Sequence, residues 1–392
     1  MKIIAVIAEY NPFHNGHLYQ LNKIRQEFNA DKILVIMSGN FTQRGENAVM
    51  DKFTRARHAI FAGADIVIEL PAIFSVANAE IFASGAVKIL KDLNVVDSLC
   101  FGVENGTAEE FLNAGQIMLK ESKELKSLIK KELETGVSPV KARYNAIKEA
   151  NLTGFDEKLI ATPNNILALE YAKAVIKTDA NFNLLPIVRD NIHNDTRLKK
   201  GITSATSIRA SLQKKKTGAL KKCMPKFVYK DLPKTPYDFS EILMAKLYTE
   251  DSENLAQILD CTEGLENRIK ALIKDNTNYG SALDKISTKR YTLARIRRII
   301  VSNLLGIKEK LVFKALDNPL YAKILAVNEN SKDLISLLNE KSDIKILTRK
   351  KDFAEVKKLA QEVLNIDILA NDLYNLISKN RTNEYFTEIV KV

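Results

Sequence analysis

Two histidines three positions apart, His14 and His17, stand around Gly16 in the run Asn11-Pro-Phe-His-Asn-Gly-His17, directly after the apolar segment Ile3-Ile-Ala-Val-Ile-Ala8. Imidazole N–H groups or imidazolium charge stabilise negative charge on phosphoryl oxygens. A glycine lets the backbone come close to a phosphate, and a helix start offers unpaired N–H donors to it. Together these are the ingredients of a nucleoside triphosphate site. A metal pair would need a third ligand, and no nearby His, Cys or acidic cluster supplies one, so no metal ligand is assigned. A polar surface turn is the plain alternative. A second group lies far along the chain, in Ile202-Thr-Ser-Ala-Thr-Ser-Ile-Arg209. Its four hydroxyls, including those of Ser204 and Thr206, crowd a helix start, and Arg209 follows with a forked guanidinium suited to β- or γ-phosphate oxygens. A simple helix cap with a solvent-facing arginine explains the same residues.

Groups this distant meet only if a sheet brings them to one edge. Short β-rich runs are expected at Ile3–Ala8, Lys32–Met37, Ile66–Leu70, Ser98–Phe101 and Asn183–Val188. Helical patterns fall between them at Leu18–Phe28, Lys52–Ala62, Ala79–Lys91, Glu109–Glu134, Pro139–Ala150 and Asn165–Ile176. This alternation predicts an α/β fold, a doubly wound parallel sheet covered on both faces, with ligands outside the carboxyl ends of the strands. The expected organisation is an ATP-binding, nucleotidyltransferase-like domain over 1–212, a basic Pro-containing connection over 213–239 and a mainly helical domain over 240–392. Residues 211–392 carry 33 Lys and Arg against 24 Asp and Glu, while the first 210 carry 26 against 24. The basic excess points to a polyanion such as RNA, although a lysine-rich composition with solvated charges explains it equally well. No run of about 18 uncharged apolar residues argues for a membrane span. The first nine residues lack the flanks of a secretion signal. Three separated cysteines, Cys100, Cys223 and Cys261, fit reduced thiols in a cytoplasm.

The paired motifs resemble the HxGH nucleotidyltransferases, a superfamily that includes the class I aminoacyl-tRNA synthetases. A wider set of strings is similar to the tRNA(Met) cytidine acetate ligase family. These are Glu9-Tyr-Asn-Pro-Phe-His-Asn-Gly-His17, Met37-Ser-Gly-Asn-Phe-Thr-Gln-Arg-Gly45, Val67-Ile-Glu-Leu-Pro71, Phe101-Gly-Val-Glu-Asn105 and Pro163-Asn-Asn-Ile-Leu167. The resemblance implies a Rossmann-like fold and a reaction in which acetate and ATP form acetyl-adenylate. The acetyl group then passes to the exocyclic amine of the wobble cytidine of elongator methionine tRNA, giving N4-acetylcytidine. It also implies an ATP loop made of Ile7, Ala8, Glu9, Tyr10, Asn11, Pro12, Phe13, His14, Asn15, Gly16, His17, Leu18, Tyr19 and Gln20. Further ATP contacts would come from Gly102, from Asn164 or its neighbour Asn165, from Arg189, and from Ser204 and Thr206. His14, His17 and Arg209 would carry the charge stabilisation. Mg²⁺ would be held mainly by the phosphates. Ala205 departs from the superfamily's serine-rich signature and leaves open which hydroxyl meets phosphate.

Other residues invite weaker readings. Arg44, after the second strand, could face acetate, phosphate or tRNA. Lys52 and Arg55 share a helix face, with Arg57 nearby, and fit either RNA backbone or solvent. Glu69 reads as a structural ion pair at least as well as an acid. His58 and His193 stand alone. Lys289, Arg290, Arg295, Arg297 and Arg298 form a basic helix suited to tRNA phosphates or to solvent. Arg349-Lys-Lys351 is left unassigned. No Ser-His-Asp or Cys-His arrangement is present to nominate. Two other functions fit the same cradle: a small-molecule adenylyltransferase and a non-catalytic RNA-binding protein.

Overall fold

The computed structural model describes residues 1–120, 123–137, 139–150, 156–160, 162–189, 203–380, 383–384, 387 and 389–392. Strand β1 (Ile3–Ala8) runs at the centre of a sheet. Its alternate residues are sorted as strand geometry requires: Ile3 and Ala5 enter one apolar core, Ile4 and Val6 the other. Both faces are therefore covered, which is why the strand reads as continuously apolar. After β1 come helix α1 (Asn15–Gln26), β2 (Lys32–Ser38), α2 (Lys52–Phe61), β3 (Ile66–Leu70), β4 (Ser98–Val103), α3 (Pro163–Thr178), β5 (Asn183–Val188) and α4 (Ala205–Gln213). Strands β1 to β5 are parallel and lie in the order β5-β4-β1-β2-β3. The chain winds outward from β1 to β3 and then returns to the other side of β1 at β4. The crevice at the carboxyl ends of β1 and β4 is thus the topological switch point where such sheets bind ligands.

The second half adds more than helices. Helix α5 (Leu293–Leu305) and helix α6 (Lys358–Ser378) are among its helices, but β6 (Tyr321–Val327) pairs antiparallel with β3. Strands β7 (Lys345–Leu347) and β8 (Val390–Lys391) then pair with β6. The boundary at 240 therefore does not separate two cores, because one sheet and one apolar cluster span both sides of it. All seven β6 residues are buried, Lys323 included. That lysine, in the middle of the run, hides the strand from a reading based on polarity. It is tolerated because Glu69 accepts from its Nζ at 3.0 Å and Glu384 pairs with it closely. Lys52 completes the cluster, 2.8 Å from Glu69 and 2.9 Å from Glu384. Burial opposes the Glu69 carboxylate, yet Lys323 and Lys52 outweigh it and hold its pKa below the usual range.

The connection 213–239 is not an exposed linker either. It contains a short helical turn at Gly218–Lys222 and a helix at Lys226–Asp231. Leu220, Met224 and Val228 are buried in the same apolar cluster as Phe13 and Ile208, and Asn15 of the histidine turn donates to the Lys222 and Cys223 carbonyls, so the segment docks on that turn. A further difference is local. The expected Glu109–Glu134 helix is two, Ala108–Leu119 and Lys123–Glu134, and the second half includes a short helix at Lys350–Phe353 before the long α6. His193 and Ile202, with the rest of 190–202, lie outside the described residues.

Candidate active site

The turn after β1 is built by its own side chains. Tyr10 takes a left-handed backbone (φ 46°), the Asn11–Pro12 peptide is cis, and His14 caps α1. The His14 Nδ1 accepts from the Gly16 N–H at 3.0 Å, and the His17 Nδ1 accepts from the His14 N–H at 3.2 Å. Because each Nδ1 accepts, the proton of each neutral ring resides on Nε2. The two rings stack with centroids 3.7 Å apart, and Tyr10 and Phe13 pack on His17. Two imidazoles are therefore held in one orientation at a helix N-terminus with no acidic residue in its first turn. Asn15 anchors the turn from below, its backbone N–H donating to the Cys223 carbonyl and its amide to that of Lys222.

Arg209, 198 residues from Asn11 in sequence, reaches the turn. Its Nη1 donates to the Asn11 carbonyl at 2.9 Å. Its Nε lies 3.7 Å from a carboxylate oxygen of Glu46, and Thr206 is 3.4 Å from its other amino group. Ser204 caps α4, accepting from the Ser207 N–H at 3.2 Å, so the helix begins with Ala205 in place and the hydroxyl cap intact. Burial pulls the Arg209 pKa down first of all; Glu46 and Glu9 oppose it, and Arg44 and Arg297 act in the same direction as burial. Positive charge is concentrated here.

The β4 side of the crevice is equally specific. Continuing the register of Val6 with Cys100 places Gly102 beside the end of β1. A Cβ on Gly102 would lie 2.2 Å from the Arg189 Nε, so the glycine gives this guanidinium its seat. Asn164 donates to Glu104 at 2.6 Å. Asn165 is fully buried, accepting from the Glu104 N–H and donating to Asn105 and the Lys158 carbonyl. The two asparagines thus differ: Asn165 latches α3 to the end of β4, while Asn164 sits on the half-buried Glu104 side chain. Burial raises the Cys100 thiol pKa to about 12, which removes it as a nucleophile. Among the described residues no group of three or more His, Cys, Asp or Glu side chains could hold a metal ion.

The model of the HIGH Nucleotidyl Transferase family matches residues 1–388. The tRNA(Met) cytidine acetate ligase of Acetivibrio thermocellus is 37% identical over 401 residues, covering 97% of this chain and 96% of that protein. The chain belongs to the tRNA(Met) cytidine acetate ligase family. The ligase of Clostridium kluyveri is 36% identical over 398 residues, again with 97% of this chain covered and 96% of its own. Among solved structures, apo Thermotoga maritima TmcAL superposes with a TM-score of 0.93 at 28% identity over 100% of both chains. The same enzyme bound with alpha-thio ATP gives 0.91, also at 28% identity over 100% of both chains.

In this member of the acetate ligase family, several cations singled out in sequence serve the fold. Lys52 and Arg55 are buried, so neither meets RNA. Arg55 donates to the carbonyls of Met50 (2.9 Å), Glu9 (2.6 Å), Ser38 (3.0 Å) and Gly39. It thereby ties the carboxyl ends of β1 and β2 together, a positioning role that only the position of the carbonyls reveals. His58 is buried 2.8 Å from Asp231, and burial is the first cause of its lowered pKa. The arginines of 290–298 also find partners within the protein, Arg290 while staying exposed. Arg290 pairs with Glu263, Arg295 donates to the Asp260 carbonyl and Thr262, Arg297 pairs with Glu46, and Arg298 meets Gln43 and Asp260. Glu46, which joins this helix to the histidine turn by pairing with both Arg297 and Arg209, carried no sequence signal of its own, and Arg297 was read only as part of a basic face.

Proposed function

We propose that this protein activates acetate with ATP and transfers the acetyl group to a cytidine of methionine tRNA. The observation that carries the reading is the hydrogen bond from Arg209 to Asn11, which brings the α4 cation onto the histidine turn at the switch point of the sheet. Acetate is already an oxyanion nucleophile, so its attack on the α-phosphorus needs no general base. The demand is to hold two anions together and offset their repulsion. In this reading, Nε2–H of His14 and His17 and the guanidinium of Arg209 meet the phosphate oxygens, where charge builds as pyrophosphate leaves. Gly102 flanks the nucleotide from β4, Arg189 from the end of β5, Asn164 from the start of α3, and Ser204 and Thr206 from α4. Mg²⁺ enters with ATP, held by phosphate oxygens and water. In the second step the cytidine amine forms a bond to the acetyl carbon as the bond from that carbon to AMP oxygen breaks. AMP leaves with the electron pair, and the surplus amine proton passes to solvent.

The test is ATP–pyrophosphate exchange, followed by incubation with ATP, labelled acetate and bulk tRNA. Exchange that requires acetate, with label recovered in cytidine of methionine tRNA, is the expected result. Exchange driven by a phosphorylated metabolite would establish an adenylyltransferase instead. ATP binding with no exchange would establish a binding protein.

A further inference from the structure

A cavity of about 460 Å³ is lined in part by Arg209. One face of α4 lines it, with Thr206, Arg209, Ala210 and Gln213 at helical spacing; the loop Arg44–Asn47, the aromatics Tyr237 and Tyr279, Asp238, and Arg297 of α5 also line it. Its polar lining is specific. Glu46 projects a carboxylate between two guanidinium groups, 3.7 Å from Arg209 on one side and in close contact with Arg297 on the other. The same Arg209 donates to Asn11, so a single guanidinium spans from this carboxylate to the histidine turn. The loop is held at both ends. Gln43 donates its N–H to Glu9 at 2.8 Å, and Asn47 donates to the Tyr237 carbonyl at 3.3 Å. A Cβ on Gly45 (φ +67°) would lie 2.4 Å from the α5 backbone, so the loop is seated directly on that helix.

A carboxylate in such a place disfavours a second phosphate subsite, since it would repel the anion. It favours a ligand with an N–H donor, while the flanking guanidinium groups favour acceptors on the same ligand. A cytosine edge has this order of groups: an exocyclic amine that donates to a carboxylate, next to ring and carbonyl acceptors. The volume falls within the roughly 300–1,000 Å³ of small-ligand pockets. A base whose amine is to be acylated must leave its stack, and aromatic walls receive unstacked bases.

We propose that this cavity receives the unstacked target pyrimidine nucleotide, and that Glu46 accepts a hydrogen bond from its exocyclic amine and so selects cytidine over uridine. The proposal rests on the acetyl-transfer reading above and assigns that reaction's acceptor site. Uridine would present a carbonyl oxygen to the carboxylate, and the two acceptors repel.

The experiment measures binding of anticodon stem-loop RNAs bearing cytidine, uridine or pyrimidin-2-one at the target position. Wild-type protein is expected to bind the cytidine RNA about tenfold or more tighter than either of the others. The variant Glu46→Gln is expected to bring cytidine and uridine within about twofold, by gaining affinity for uridine, to which a glutamine amide donates. Equal wild-type affinity for cytidine and pyrimidin-2-one overturns the proposal without any variant. A Glu46→Gln protein that loses affinity for all three RNAs alike, or that loses ATP affinity with the cytidine preference intact, also overturns it. Failure of the acetate reading would appear separately, as missing acetate-dependent exchange in the wild-type protein.

Discussion

The histidine turn and the arginine helix both looked like anion sites, and the fold uses them in opposite ways. In the turn, local hydrogen bonds orient His14 and His17 while Arg209 arrives from a distant helix start. In the helix and the segment leading into it, Arg290, Arg295 and Arg298 each find a carboxylate, a hydroxyl or a carbonyl within the protein. Whether a cation serves a ligand or the fold depends on which acceptors the tertiary structure sets beside it. A guanidinium already paired and half-buried gains little from a phosphate that must displace its partner.

The sharpest way to break this contrast is His17→Ala. It removes one donor from the turn, and acetate-dependent ATP–pyrophosphate exchange should fall about 10²–10³-fold. Exchange at the parental rate would show that the turn is a structural cap only. The next effect in size falls where the two regions touch. Gly45→Ala forces a side chain at positive φ against the α5 backbone, and should cost about 1–3 kcal/mol in urea unfolding. An unchanged midpoint would mean that the loop and helix are not in firm contact. The smallest effect is expected from Arg295→Ala. With its guanidinium held by Asp260 and Thr262, the slope of log affinity for tRNA against log salt should change by well under about one. A drop of about one would turn the helix back into an RNA surface.

Much of the first half was legible because its signals are local. The strands β1 to β5 appear as short apolar runs between helical patterns, and each was found within two residues of its ends. Helix α1 was expected three residues late, since the His14 cap and not apolar spacing sets its start. The failures share a cause. Lys323 in β6 and Lys52 and Arg55 in α2 are charged residues that the fold buries, and their partners Glu69, Glu384 and the strand-end carbonyls are remote in sequence or belong to the backbone.

By itself the amino-acid order determined the turn, its two imidazoles, the hydroxyl cap before Arg209 and the parallel strands that display them. These depend on neighbours within a few residues, on backbone propensity and on the alternation of apolar positions. Only the tertiary structure decided that Arg209 meets Asn11, that Glu46 lies between two arginines, and that β6 closes the sheet beside β3. Those pairings join residues that packing alone makes adjacent, and the stability of a buried charge depends on the partner found there, not on the charge itself.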